Sequence, residues 1–251
     1  MRIALLSDIH ANLRALQACL AHARSHGADR LAFLGDLVGY GAEPGEVVNL
    51  IMAEASQGAI VLQGNHDEMA AGQGPLDDTR GSQGAAWTRA RLDAGQRAFL
   101  ARLPLVSRID NNLLVHASAD EPARWHYVTH AARATRSLEA ACLQEGIRRV
   151  FGGHVHDQTL WFAGRRGELM PFAPTAGAAV PLPAHRRWLA TIGSVGQPRD
   201  GDPRAGYAML ELSPTARVTF MRVPYDHGGA ARAIARSGLP QDYATRLMEG
   251  R

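Results

Sequence analysis

An α/β fold is predicted by two features of the 251-residue chain. Up to His156, short apolar runs ending in Gly, Asp or Asn alternate with longer stretches whose apolar residues recur at helical spacing, the alternation expected of strands and helices. From Gln158 onward the helical spacing gives way to short β-type runs punctuated by Gly, Pro and Asp, which predicts a more antiparallel sheet in the C-terminal part.

Taken in order, Arg2 to Leu6 is an apolar strand closed by Ser-Asp, and Asn12 is suited to cap the helix implied by Leu13, Leu16, Ala18 and Leu20. Arg30 to Leu34 forms a second buried strand ending in Gly35-Asp36. Pro44 to Ala55 then reads as a helix, with Pro44 in its first turn and Val47, Val48, Leu50 and Ile51 on one side. Ala59 to Leu62 is a third strand before Gly64-Asn65-His66-Asp67, and Gln83 to Leu100 a helix with a solvated arginine face. Val106 to Ile109 and Asn112 to Val115 flank Asp110-Asn111 as a hairpin, and His116 follows it. Ala131 to Glu145 is helical, and Arg149 to Phe151 is a strand leading into Gly152-Gly153-His154-Val155-His156. Thr159 to Phe162, Trp188 to Ile192, Tyr207 to Leu212 and Arg217 to Arg222 are the C-terminal strands, with Gly228 to Ser237 and Gln241 to Met248 as terminal helices.

The composition, 46% hydrophobic and 20% charged, fits one globular domain over residues 1–251. The sequence holds no run near the roughly 18 apolar residues a spanning helix needs, so a cytoplasmic chain without membrane contact is expected. Cys19 and Cys142 sit in helical patterns as small core thiols. The net charge is +3, but the arginines are scattered, so a nucleic-acid partner is not indicated. All 27 basic residues are arginine, which excludes a lysine Schiff base or a phosphate-loop lysine.

Five segments end a predicted strand and then present a metal-capable side chain: Asp8 with His10, Asp36, Asn65 with His66, His116, and His154 with His156. Loops beyond the carboxyl ends of strands in α/β sheets converge on one crevice, so these residues can meet. In Asp-Ile-His and His-Val-His an extended backbone would turn the intervening apolar residue away and leave both donors on one face. The carboxylate, amide and imidazole donors, with no thiolate, suit manganese, iron, zinc, cobalt or nickel. Seven of them (Asp8, His10, Asp36, Asn65, His116, His154, His156) exceed one tetrahedral site, and two ions sharing a carboxylate would use them all.

Asp8-Ile9-His10, Gly35-Asp36, Gly64-Asn65-His66-Asp67, the lone His116 and Gly153-His154-Val155-His156 together resemble, in order and spacing, the motif set of calcineurin-like metallophosphoesterases. Gly193-Ser194-Val195-Gly196-Gln197-Pro198-Arg199 resembles a segment of the bacterial phosphodiesterase and diadenosine-tetraphosphatase-like branch. The resemblance implies a four-layer α-β-β-α sandwich of two mixed sheets. It implies one divalent ion on Asp8, His10, Asp36 and His156 and another on Asp36, Asn65, His116 and His154, with Asp36 bridging. It further implies hydrolysis of a small phosphorylated substrate by a hydroxide held between the ions, with His66 protonating the leaving group or stabilising the transition state. Asn65, His66 and Arg199 are the expected substrate contacts. One departure stands out: many relatives carry an aspartate after the Gly-Asp motif, paired with the histidine, where this chain has Gly39. Ala11 likewise stands where glycine is common.

Tyr40, Trp125, His126 and Tyr127 are candidates to line the substrate pocket, and Arg199 either clamps phosphate or pairs with Asp200 or Asp202. His22, His26, His130, His185 and His227 lack a motif context. Two other function classes compete: a catalytically silent scaffold binding a protein partner, which the retained donors disfavour, and a nuclease, which would need a continuous basic groove.

Overall fold

The computed structural model describes residues 1–74, 80–164, 168–213 and 215–251, and for residues 80–82 the backbone alone. The strands are β1 (Arg2–Leu6), β2 (Arg30–Phe33), β3 (Ile60–Val61), β4 (Val106–Ile109), β5 (Asn112–Val115), β6 (Arg149–Gly152), β7 (Gln158–Ala163), β8 (Leu169–Phe172), β9 (Ala179–Pro181), β10 (Trp188–Ile192), β11 (Ala205–Glu211) and β12 (Arg217–Val223). The helices are α1 (Leu13–Ser25), α2 (Pro44–Ser56), α3 (Asn65–Ala71), α4 (Arg80–Arg89), α5 (Ala94–Ala101), α6 (Ala131–Cys142), α7 (His227–Ser237) and α8 (Gln241–Glu249).

Among the described residues the strands form two six-stranded mixed sheets, ordered β3-β2-β1-β11-β12-β9 and β4-β5-β6-β10-β7-β8. In the first, β1, β2 and β3 run parallel and β11, β12 and β9 are antiparallel. In the second, β5, β6 and β10 run parallel. Side-chain alternation along the strands builds the layers. Ile3 and Leu5 of β1 face the second sheet, meeting Leu114, Phe151, Ala190 and Ile192, while Ala4 and Leu6 face α1 and α2. On the second sheet Leu114 points inward, and Leu113 and Val115 pack outward under Ala134, Leu138 and Ala141 of α6. Helices, sheet, sheet and helix therefore stack as the four-layer sandwich, each buried Leu, Ile or Phe contributing about 1.5–3 kcal/mol.

Two expectations need correction, and two strands were not expected. The C-terminal strands do not make a sheet of their own: β9, β11 and β12 extend the first sheet, and β7, β8 and β10 complete the second. The helix expected from Gln83 to Leu100 is broken into α4 and α5, because Asp93 starts a new helix with a capping box, accepting from Gln96 N while Gln96 returns a bond to Asp93 N. The strands β8 and β9 each contain a proline, which masks a strand pattern and is tolerated because both lie at sheet edges. No helix among the described residues is long and apolar enough to cross a membrane.

Candidate metal centre

The parallel strands β1, β2 and β3 and β5, β6 and β10 end on the same side, and their loops are stitched together by main-chain bonds. Asp8 N donates to Gly35 O (3.0 Å), His10 N to Asp36 O (3.0 Å), Gly153 N to His116 O (2.8 Å), and Gly196 N to Asp8 O (2.9 Å). This stitching, rather than strand alternation, turns the donors inward. Asp8, His10, Asp36, His154 and His156 all have left-handed backbone, with φ of 54°, 47°, 51°, 68° and 64°. The extended geometry expected for Asp-Ile-His and His-Val-His is therefore not what the loops adopt. Non-glycine residues seldom occupy this region, and each costs of order 1–3 kcal/mol that the surrounding structure must offset. Two glycines make the close approach possible: a Cβ on Gly64 would lie 2.2 Å from Asp36 Oδ1, and one on Gly153 would lie 2.2 Å from Asp8 Oδ2.

Among the described residues, donor atoms gather in three overlapping groups, Asp8 with His10 and His156, His10 with Asp36 and His66, and Asp36 with His116 and His154, each with its atoms within 4.8 Å. One oxygen, Asp36 Oδ2, lies 3.8 Å from His10 Nε2 and 3.4 Å from His116 Nε2. Asp8 Oδ1 lies 3.3 Å from His156 Nε2 and 3.8 Å from His10 Nε2. The rings are aimed by main-chain carbonyls: the Nδ1 atoms of His10, His116 and His156 face Val38 O (3.1 Å), Leu34 O (2.8 Å) and Gln197 O (2.5 Å). That turns their Nε2 atoms into the centre, the orientation metal-ligating histidines take. Asn65 Oδ1 is buried with no hydrogen-bond partner among the described residues, a further oxygen available to a cation. The residues present therefore fit divalent ions.

Charge is distributed unevenly. Burial opposes ionisation of Asp36, but His116 and His66 outweigh it and hold the carboxyl well below its usual range. Burial likewise opposes protonation of His116, yet the Asp36 carboxylate raises it to about 9. Burial and then His156 lower His10, and burial and then His116 lower His154 to about 4.

Three residues that the motifs alone left without a role prove structural. Asp67 accepts from Leu37 N (2.9 Å), Val38 N (3.2 Å) and Gly64 N (2.9 Å), tying the loop after β2 to the start of α3. Burial, then Asp36, pushes its carboxyl up to about 7. Ser194 Oγ donates to Asp8 O (2.7 Å) and accepts from Gln197 N (2.8 Å), which places the Gln197 carbonyl against His156. Their signal lay in motif segments already recognised, Asn65-His66-Asp67 and Gly193 to Arg199.

Of the aromatic candidates, Tyr40 packs on His66 (4.5 Å between centroids) and edge-on to His10 (4.8 Å), Tyr127 stacks on His154 (4.0 Å), and Trp125 stands edge-on to His116 (5.8 Å). His126 instead faces Glu121. Arg199 donates to Gln197 Oε1 (2.8 Å) and lies 5.6 Å from the Tyr40 ring. The ion pair weighed for it does not form, since Asp200 pairs with Arg222 and Asp202 with Arg204. His66, His10 and Tyr40 form one packed cluster.

The family model for calcineurin-like phosphoesterase matches residues 1–158, which contain all seven donors. The chain is 31% identical over 257 residues to the uncharacterised protein MJ0912 of Methanocaldococcus jannaschii, covering 99% of this chain and 98% of that one. Among solved structures, a metallophosphoesterase from Sphaerobacter thermophilus superposes with a TM-score of 0.87 at 35% identity, over 100% of this chain and 99% of the other. The hypothetical protein PH1004 from Pyrococcus horikoshii OT3 shares the fold, with a TM-score of 0.76 at 19% identity over 100% and 98% of the two chains. With its motif residues gathered at the ends of two mixed sheets and the family model spanning them, the chain belongs to the calcineurin-like phosphoesterases.

Proposed function

We propose that the chain hydrolyses a phosphodiester or nucleotide-type phosphoester with a pair of divalent ions. The observation that carries this reading is the single oxygen Asp36 Oδ2, within 3.8 Å of His10 Nε2 on one side and 3.4 Å of His116 Nε2 on the other. A carboxylate so placed suits a bridge between one site built from Asp8, His10, Asp36 and His156 and another from Asp36, Asn65, His116 and His154. Manganese, iron, zinc, cobalt and nickel all suit the donor set. When bound, such a pair supplies an activated water and offsets charge on the phosphoryl oxygens.

The remaining residues bind and orient. The other Asp36 oxygen, Oδ1, accepts from His66 N (2.9 Å), which fixes the start of α3 and places the His66 ring beside the donors. Burial keeps this imidazole below its ordinary pKa of 6.5. His66 is the group assigned to protonate the leaving oxygen or stabilise the transition state, with Asn65 and Arg199 contacting substrate. The buried Nε of the Arg199 guanidinium has no partner among the described residues, and the guanidinium suits a phosphoryl oxygen as a donor. Diesters are favoured because Gly39 leaves His66 without the carboxylate partner found in many monoester phosphatases of the family.

The test is hydrolysis of bis-p-nitrophenyl phosphate against p-nitrophenyl phosphate by metal-stripped protein refilled in turn with manganese, nickel, cobalt, zinc and magnesium. Metal-dependent turnover with the diester faster is expected. No turnover with any metal while two ions are bound contradicts the reading, and a faster monoester contradicts its diester part.

A further inference from the structure

We infer that Tyr40, backed by Tyr243 of α8, is a positioning residue that holds the His66 ring by packing, in the place where relatives use a carboxylate. The inference rests on the role proposed for His66. The His66 ring lies directly on Gly39: a Cβ there would sit 2.6 Å from His66 Nδ1 and 2.9 Å from its Cγ, and Gly39 has φ +91°. An aspartate at this position would meet both a steric and a backbone obstacle. His66 Nδ1 is buried and has no hydrogen-bond partner among the described residues, so none of their side chains sets the angle of the ring by a bond at that atom.

Above Gly39, aromatic rings pack against His66. Tyr40, itself at φ 58°, packs at 4.5 Å from His66 with its plane tilted 54°, and His10 stands edge-on at 5.1 Å. Tyr40 is in turn met edge-on by Tyr243 at 4.9 Å. Tyr243 is fully buried in the cluster that α7 and α8 form with Ala230, Ile234, Leu239 and Leu247, and Tyr40 and Ala42 pack against that cluster. A continuous aromatic column thus runs from the C-terminal helices to the proposed proton donor. The Tyr40–Tyr243 contact is edge-on and the Tyr40–His66 contact is tilted, and aromatic rings packed in this way favour one ring orientation over others. Unlike a carboxylate, the column adds no negative charge beside the imidazole.

Tyr40→Leu, Tyr40→Phe and Gly39→Ala, each zinc-loaded, would be compared with wild type by imidazole NMR of ¹⁵N-histidine-labelled protein, the His66 signals being assigned from their loss in His66→Ala. Bound metal would be counted, and turnover measured on diesters with good and poor leaving groups. Tyr40→Leu is expected to keep its metals and the signals of His22 and His26, to shift or broaden those of His66, and to slow the poor leaving group by about tenfold or more relative to the good one. Tyr40→Phe should match wild type, and Gly39→Ala, which displaces the ring from beneath, should move the same signals even if Tyr40→Leu does not fold. Unmoved His66 signals in Tyr40→Leu or Gly39→Ala, or equal slowing on both substrates, overturn the inference. Full activity of His66→Ala would instead overturn the role given to His66, leaving the NMR comparison to decide the packing claim by itself.

Discussion

The Nε2 atoms of His10 and His156 face each other at 3.1 Å, while each ring has its Nδ1 turned to a main-chain carbonyl. With both Nδ1–H groups donated to carbonyls, neutral rings would set two lone pairs in opposition beside the Asp8 carboxylate. A cation between them turns this repulsion into attraction. The fold is therefore expected to gain stability when metal binds: filling a site at about 100 times its Kd adds roughly 2.7 kcal/mol. Thermal unfolding with and without manganese, after chelation, measures it, and an unchanged midpoint would speak against a metal in this pair.

Gly153→Ala places a methyl group against Ser7 Oγ and Asp8 Oδ2, at 2.0 and 2.2 Å before any relaxation. Asp8 has to move, and the ion held with His10 and His156 is expected to bind at least about tenfold more weakly. Metal titration of folded Gly153→Ala, followed by calorimetry, checks this; wild-type affinity at both sites would show that Asp8 is not a ligand.

Much of this was legible in the sequence for a physical reason. The donors sit where strands end, and strand ends are marked by Gly-Asp, Gly-Asn and Gly-His pairs that stand out from apolar runs. The convergence of Asp8, Asp36, His116 and His154 followed from parallel strands sharing one end. What the pattern hid was local backbone shape. Asp8 and His10 look like alternating strand residues, yet both are left-handed, because main-chain bonds to Gly35 and Asp36 bend the loop. The strands β8 and β9 were hidden by Pro171 and Pro181, and the α4–α5 break by an apolar rhythm that continues across Asp93. The Tyr40–Tyr243 contact joins residues remote in sequence, which periodicity cannot reveal.

Asp36→Asn removes the charge shared by the two groups of donors. Loss of affinity at both sites together is expected, with turnover lost in parallel. Metal content by elemental analysis decides it: two ions retained at wild-type affinity would remove Asp36 from the bridge.

The metal-free chain should lose stability on acidification. Burial lowers His10, His66, His154 and His22 in the fold, so the unfolded chain takes up their protons first, near pH 6.5. Stability from these groups is present above pH 6.5 and is lost as pH falls through 6.5 towards the lower folded values, about 4 for His154. Asp67, raised to about 7, and Asp157, also raised, act in the opposite sense by holding protons in the fold, while His116, raised to about 9, is charged in both states below pH 6.5. The histidines outnumber the carboxyls, so the unfolding midpoint should fall between pH 6.5 and 4.5. A midpoint constant over that range, measured by circular dichroism, would contradict this balance.

The most direct measurement is anomalous diffraction from crystals of the manganese-loaded protein. Two peaks roughly 3.5–4 Å apart are expected, with Asp36 between them, Asp8, His10 and His156 around one and Asn65, His116 and His154 around the other. A single peak, or peaks away from these seven side chains, would contradict the dinuclear centre.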